Sequence, residues 1–154
     1  MKADIDIADL RQQVEKVAKT SETLNIAGQS AMQLIYDNVP AYKWIGIYWL
    51  SGNELKLGPY VGAATDHTVI EVGKGVCGQA VADNENQLVS DVRELDNYLA
   101  CSIKTRSEIV VLIKDENGKV LGQIDADGHG VNDFNKDDEE FLEFVAALMV
   151  KFNC

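Results

Sequence analysis

The stretch Glu108-Ile109-Val110-Val111-Leu112-Ile113-Lys114-Asp115-Glu116-Asn117-Gly118-Lys119-Val120-Leu121-Gly122-Gln123-Ile124-Asp125 decides the fold class. Two apolar, β-branched runs, 108–113 and 119–125, flank a polar turn. Its Asn117-Gly118 pair supplies residues tolerant of positive φ, so the stretch predicts a β-hairpin. Upstream, Trp44-Ile45-Gly46-Ile47-Tyr48-Trp49-Leu50 is aromatic and β-branched, and Ser51-Gly52-Asn53 turns it into a second run over 54–61. Short runs at 68–72 and 87–90 complete about six strands, with a short helix expected over 79–83 between them. The first forty residues have a helical period instead: Ile7, Leu10, Val14, Val17 and Ala18, then Leu24, Ala27, Ala31, Leu34 and Ile35. Ser21 is the candidate N-cap of the second helix, and Pro40 ends the helical region. Asn135 is a candidate N-cap for a last helix, whose Asp137, Asp138, Glu139 and Glu140 suit the positive end of its dipole. The order predicts an α+β fold: a roughly six-stranded antiparallel sheet with N- and C-terminal helices packed on one face.

The bulk properties fit one domain over 1–154, with helices in 1–39, sheet and loops in 44–127, and the closing helix in 135–152. The chain is 46% hydrophobic and 25% charged, close to soluble averages, with two prolines. Lys and Arg number 14 against 25 Asp and Glu, a net charge of −11. Such a body repels phosphate backbones and anionic membranes, so neither nucleic acid nor membrane is an expected partner. The acidic start MKADIDIADL has no apolar core of a secretory signal. Three widely spaced cysteines read as thiols of a cytoplasmic protein rather than a disulfide framework.

Several motifs fail on context. Gly73-Lys74-Gly75-Val76-Cys77-Gly78 spells a dinucleotide-binding fingerprint, but the chain is built from hairpins rather than strand–helix–strand units. The bland reading is a glycine-permitted loop packed closely on the sheet. Asp125-Ala126-Asp127-Gly128-His129-Gly130 begins like a calcium loop, yet Lys136 replaces the twelfth-position Glu. Cys77, Cys101 and Cys154 form no short pair, and His67 and His129 lie far from paired ligands, so no metal site is expected.

Thiols and strand acids remain. Cys101 lies in a loop with Lys104 and Arg106, whose charges favour the reactive thiolate. Cys77 follows Gly75 at the start of a short helix, where free N–H groups would do the same; tight packing against glycines is the competing reading. Asp125 and Asp127 differ by two and share a sheet face, and Glu108 opens the neighbouring strand. Three carboxylates at the ends of paired strands would raise at least one pKa if buried together, or grip a cationic amine. Trp44 and Tyr48 share a face by the same spacing, as core or as a ligand wall.

These residues carry a resemblance. The chain resembles GAF domains and is similar to the free methionine-(R)-sulfoxide reductases over about 44–134. The segments are Trp44-Ile45-Gly46-Ile47-Tyr48, Leu57-Gly58-Pro59-Tyr60, Gly73-Lys74-Gly75-Val76-Cys77-Gly78, Ala100-Cys101, Ser107-Glu108-Ile109-Val110-Val111 and Leu121-Gly122-Gln123-Ile124-Asp125-Ala126-Asp127. The glycine segment and last hairpin are shared by GAF domains generally; the Ala-Cys, Ser-Glu-Ile-Val and Asp-x-Asp combination is more specific to the reductases. The resemblance implies thiol-dependent reduction of free methionine (R)-sulfoxide, with Cys101 attacking the sulfoxide sulfur. Glu108, Asp125 and Asp127 would bind the amino group and assist protonation of the oxygen, and Trp44 and Tyr48 would wall the substrate. It implies no bound cofactor, a thioredoxin or other thiol as external reductant, and a homodimer through the terminal helices.

One departure stands out. The resemblance implies a resolving cysteine about ten residues before the Gly-Val-Cys-Gly cysteine, and Gly62-Ala63-Ala64-Thr65-Asp66-His67-Thr68 holds no thiol. Resolution falls to Cys77, Cys154 or an external thiol, with Cys77 favoured. A stand-alone GAF small-ligand sensor, or a redox-sensing protein without turnover, is the alternative function.

Overall fold

The computed structural model describes residues 6–96, 98 and 103–151. Cys101 and Cys154 lie outside them. Helix α1 (Ile7–Thr20) starts where Asp6 accepts the Asp9 N–H at 3.0 Å, and α2 (Leu24–Asn38) starts where Thr23 accepts the Ile26 N–H at 3.2 Å. The expected cap at Ser21 is corrected. Ser21 closes α1, its hydroxyl donating to the Val17 carbonyl, while extended Thr23 has the geometry an N-cap needs.

Strands β1 (Trp44–Ser51), β2 (Glu54–Val61), β3 (Val69–Glu71), β4 (Gln87–Val89), β5 (Ser107–Lys114) and β6 (Val120–Gly128) form one antiparallel sheet in the order β3-β2-β1-β6-β5-β4. Helix α3 (Gly75–Asp83) lies between β3 and β4 in the chain, and α4 (Lys136–Val150) closes it. Asn135 and Asp138 cap α4 reciprocally, as the acidic start of that helix anticipates.

Alternation along the strands splits the apolar residues into two cores. Ile45, Ile47, Ile109, Val111, Ile113, Ile124 and Ala126 pack with α1, α2 and α4 on one face. Trp44, Tyr48, Val110 and Leu112 pack with Val76, Cys77 and Ala80 of α3 on the other. The terminal helices therefore cover one face, leaving the short α3 and the loops for the second.

Two details differ from expectation. Only Gly118 of the Asn-Gly pair takes positive φ, +82°. Asp115 Oδ1 accepts the Asn117 and Lys119 N–H groups, both at 2.9 Å, and the ladder slips at Lys114, so the connection is longer than a two-residue turn. Helix α3 also begins four residues earlier than the periodicity suggests, because Gly75 at φ +62° lets the chain enter it directly from the glycine loop.

Candidate active site

Rows of cross-strand partners build the site on the α3 face. Trp44, Asp127 and Glu108 form one row; Gly46, Asp125 and Val110 the next; Tyr48, Gln123 and Leu112 the third. Gln123, Asp125 and Asp127 are thus three successive same-face positions of β6. Asp125 and Gln123 are 0% exposed, Asp127 2% and Glu108 3%. The calcium-loop likeness disappears, since β6 runs straight through Asp125 and Asp127 to Gly128.

Helix α3 brings Cys77 onto this row of acids. Its Sγ donates to Glu108 Oε2 at 3.8 Å, and one atom each of Cys77, Glu108 and Asp125 lie within 4.8 Å of one another. The Cys77 thiol faces carboxyls rather than the cations that favour a thiolate. The close packing comes from Gly78: a Cβ there would stand 2.5 Å from the Glu71 carbonyl oxygen and 2.9 Å from the Gly73 nitrogen. Of the fingerprint glycines, Gly78 serves that packing, while Gly73 and Gly75 supply positive φ. Gln123 Nε2 donates to the Cys77 carbonyl at 3.3 Å and ties the first turn of α3 to β6.

Burial pushes the Asp125 carboxyl above the usual carboxylate range, opposed by hydrogen bonding from Glu108 and Cys77. An acid so placed releases its proton at a higher pH than an exposed aspartate does. The aromatic side is ordered as well. Trp44 Nε1 donates to the Ala63 carbonyl at 3.0 Å, Tyr48 Oη donates to the His67 carbonyl at 2.8 Å, and their rings are 6.3 Å apart. Both hydrogen bonds anchor the segment before β3. The indole stacks on Tyr60 with centroids 5.5 Å apart, crossing Gly46, where a Cβ would meet it at 2.6 Å.

The structure thus brings Cys77, Glu108, Asp125, Asp127, Trp44 and Tyr48 to one face, while Cys101 lies outside the described residues. Near that loop, the Arg106 guanidinium donates to the Ile103 and Thr105 carbonyls, both at 3.1 Å. Sequence reasoning missed Gln123 and Tyr60. The signal for Gln123 was its alternation with the two aspartates; that for Tyr60 was its place in the Leu57-Gly58-Pro59-Tyr60 segment of the resemblance. A groove of about 720 Å³, lined by Thr23, Leu24, Trp49 and Lys119 among others, contains none of the predicted site residues.

A six-stranded antiparallel sheet with the terminal helices on one face and a short helix with loops on the other is the architecture of a GAF domain. The GAF domain pattern matches residues 19–151. The free methionine-R-sulfoxide reductase of Escherichia coli is 35% identical over 133 residues, 86% of this chain and 78% of that protein. That of Saccharomyces cerevisiae is 42% identical over 111 residues, 70% of this chain; the match spans only 61% of the yeast protein's length. The fRMsr of Staphylococcus aureus, solved in complex with substrate, is 32% identical with a TM-score of 0.88, covering 99% of this chain and 98% of that one. The chain belongs to the GAF-domain family of free methionine-R-sulfoxide reductases.

Proposed function

We propose that this protein reduces free methionine (R)-sulfoxide to methionine, with thiols as the electron source. The observation that carries the reading is the buried cluster of Glu108 and Asp125 against Cys77, with buried Asp127 opposite Glu108, in a chain of this family. A sulfoxide is a poor electrophile until its oxygen is protonated, so the reaction needs a thiolate and an acid that retains its proton. Asp125, raised by burial, suits the acid. The remaining carboxylates attract the substrate's ammonium group, and Trp44 and Tyr48 wall the substrate.

Cys101 is assigned as the nucleophile. Its thiolate attacks the sulfoxide sulfur and the oxygen passes to Cys101, leaving methionine and a sulfenic acid; the substrate sulfur is reduced by two electrons and Cys101 oxidised by two. The Cys77 thiol then condenses with the sulfenic acid, forming a disulfide and releasing water. An external dithiol such as thioredoxin reduces that disulfide by exchange. A reducing cytoplasm suits this cycle.

The same reading includes a homodimer through the terminal helices. Ile7, Leu34, Tyr36 and Phe144 are half-buried on that layer, and the Arg11 guanidinium lies 5.1 Å over the Phe144 ring.

The test is turnover of each epimer with dithiothreitol. Conversion of the R epimer, abolished by Cys101→Ser, is the expected result. An unaltered rate in that variant would overturn the nucleophile, and tight binding without turnover of either epimer would assign a ligand sensor.

A further inference from the structure

We infer that Cys77, Glu108 and Asp125 form a binding site for a thiophilic divalent cation, with Zn²⁺ the ion whose ligand preferences they fit. One sulfur and two carboxylate oxygens lie within 4.8 Å of one another, all on buried side chains. They come from three elements, α3, β5 and β6, packed on one another. Zn²⁺ binds thiolate at about 2.3 Å and carboxylate oxygen at about 2.0–2.2 Å in a tetrahedron, which sets sulfur and oxygen about 3.6 Å apart. Cys77 Sγ and Glu108 Oε2 are already 3.8 Å apart. Little movement is needed to admit the ion.

A second observation points the same way. Gln123 is wholly buried, stands two residues before Asp125 on the same face of β6, and spends Nε2 on the Cys77 carbonyl. Its Oε1 has no hydrogen-bond partner. A buried amide oxygen left unspent costs about 1–3 kcal/mol, and beside this cluster it offers a neutral oxygen to a cation or its bound water. Charge agrees, because a dication offsets the negative charge that the two carboxyls and the thiol carry once their protons leave.

Binding exchanges the Cys77 S–H bond for a sulfur–metal bond, and the displaced proton passes to the buffer, as does any proton held by the carboxyls. No electron is transferred. The ion takes up Cys77 and two substrate-binding carboxylates together, so it inhibits turnover in competition with substrate. That consequence rests on the proposed reductase function; the binding itself does not.

The test therefore reads binding without turnover. In the full chain carrying Cys101→Ser and Cys154→Ser, Cys77 is the only thiol. Titration of the reduced protein with Co²⁺ gives a thiolate-to-cobalt charge-transfer band that saturates at one equivalent and is displaced by Zn²⁺. Adding Cys77→Ser removes the band. Adding Glu108→Gln or Asp125→Asn weakens affinity by about tenfold or more, the scale on which metal sites respond to loss of a supporting group. Circular dichroism checks each fold, and should one isosteric variant fail to fold, the other decides. Absence of a saturable band in the single-thiol chain overturns the proposal. So does an affinity unchanged by the carboxamide variants, since cobalt would then sit on a bare thiol.

Discussion

Glu108 and Asp127 stand directly opposite each other across the β5–β6 ladder, and neither is more than 3% exposed. Partners in such a ladder have Cβ atoms about 4.5–5.5 Å apart, and like charges there are destabilising. Trp44 is the partner of Asp127 on its other side, so an aromatic ring begins the same row. Two acids kept in this arrangement call for something between them, whether a proton, a substrate ammonium or a metal ion.

Asp125→Asn should stabilise the protein at neutral pH while removing activity. Burial raises the Asp125 pKa, so the native chain holds that proton more tightly than the unfolded chain, where aspartate titrates near about 3.9. Its favourable contribution is full below that value and is lost as pH rises through the folded pKa. Asparagine mimics the neutral form at every pH. The melting temperature of the variant should exceed that of the parent at pH 7, and the gain should vanish towards pH 3. Loss of a general acid should lower kcat by about 10²-fold or more. A variant less stable than the parent at pH 7 would contradict the burial argument.

One oxidation cycle with substrate should leave a Cys77–Cys101 disulfide. Peptide mapping by mass spectrometry under non-reducing conditions reads it directly. A Cys101–Cys154 bridge would move the resolving role to the C-terminus.

Tyr42→Phe should cost about 1–3 kcal/mol. The tyrosine hydroxyl donates to Asp138 Oδ1 at 2.6 Å, both side chains are buried, and the change strips a buried carboxylate of that donor. Urea unfolding should show a lower midpoint with an unchanged slope. An unchanged midpoint would mean that this bond adds nothing to the anchoring of α4.

Gly78→Ala should destabilise by about 1–3 kcal/mol, the usual range for overpacking. The new methyl would meet backbone on β3 and the glycine loop, which cannot swing aside as a side chain does. Since α3 must lift to admit it, iodoacetamide should modify Cys77 faster than in the parent. Equal alkylation rates would count against the glycine as the device that seats Cys77.

Much of the architecture was readable from local chemistry. Period and punctuation in the chain located α1, α2, the β1–β2 and β5–β6 hairpins and the Asn135 cap, because these depend on neighbours a few residues apart. The errors were local competitions between near-equal candidates. Ser21 and Thr23 are both extended and both suit a cap; Thr23 accepts the Ile26 N–H, while Ser21 donates its hydroxyl to the Val17 carbonyl. The early start of α3 was hidden by glycines, which read as loop until Gly75 takes positive φ.

The acids were legible as a class and in their facing, since period two puts Asp125 and Asp127 on one side of a strand. Burial was not, because whether a strand end is wet depends on what covers it, and α3 covers this one. Cys77 shows the limit most clearly: it sits 31 residues from Glu108 and 48 from Asp125 along the chain, so no spacing rule joins them as ligands. Sequence alone determined the α+β class, the strand faces and the chemical types present, because side-chain alternation and helix period are properties of consecutive residues. Only the tertiary structure decided that one thiol and two carboxylates, all buried, meet within 4.8 Å of one another. That meeting is set by the packing of α3 on β5 and β6, with Gly78 letting the helix lie close against Glu71 and Gly73 because it lacks a side chain.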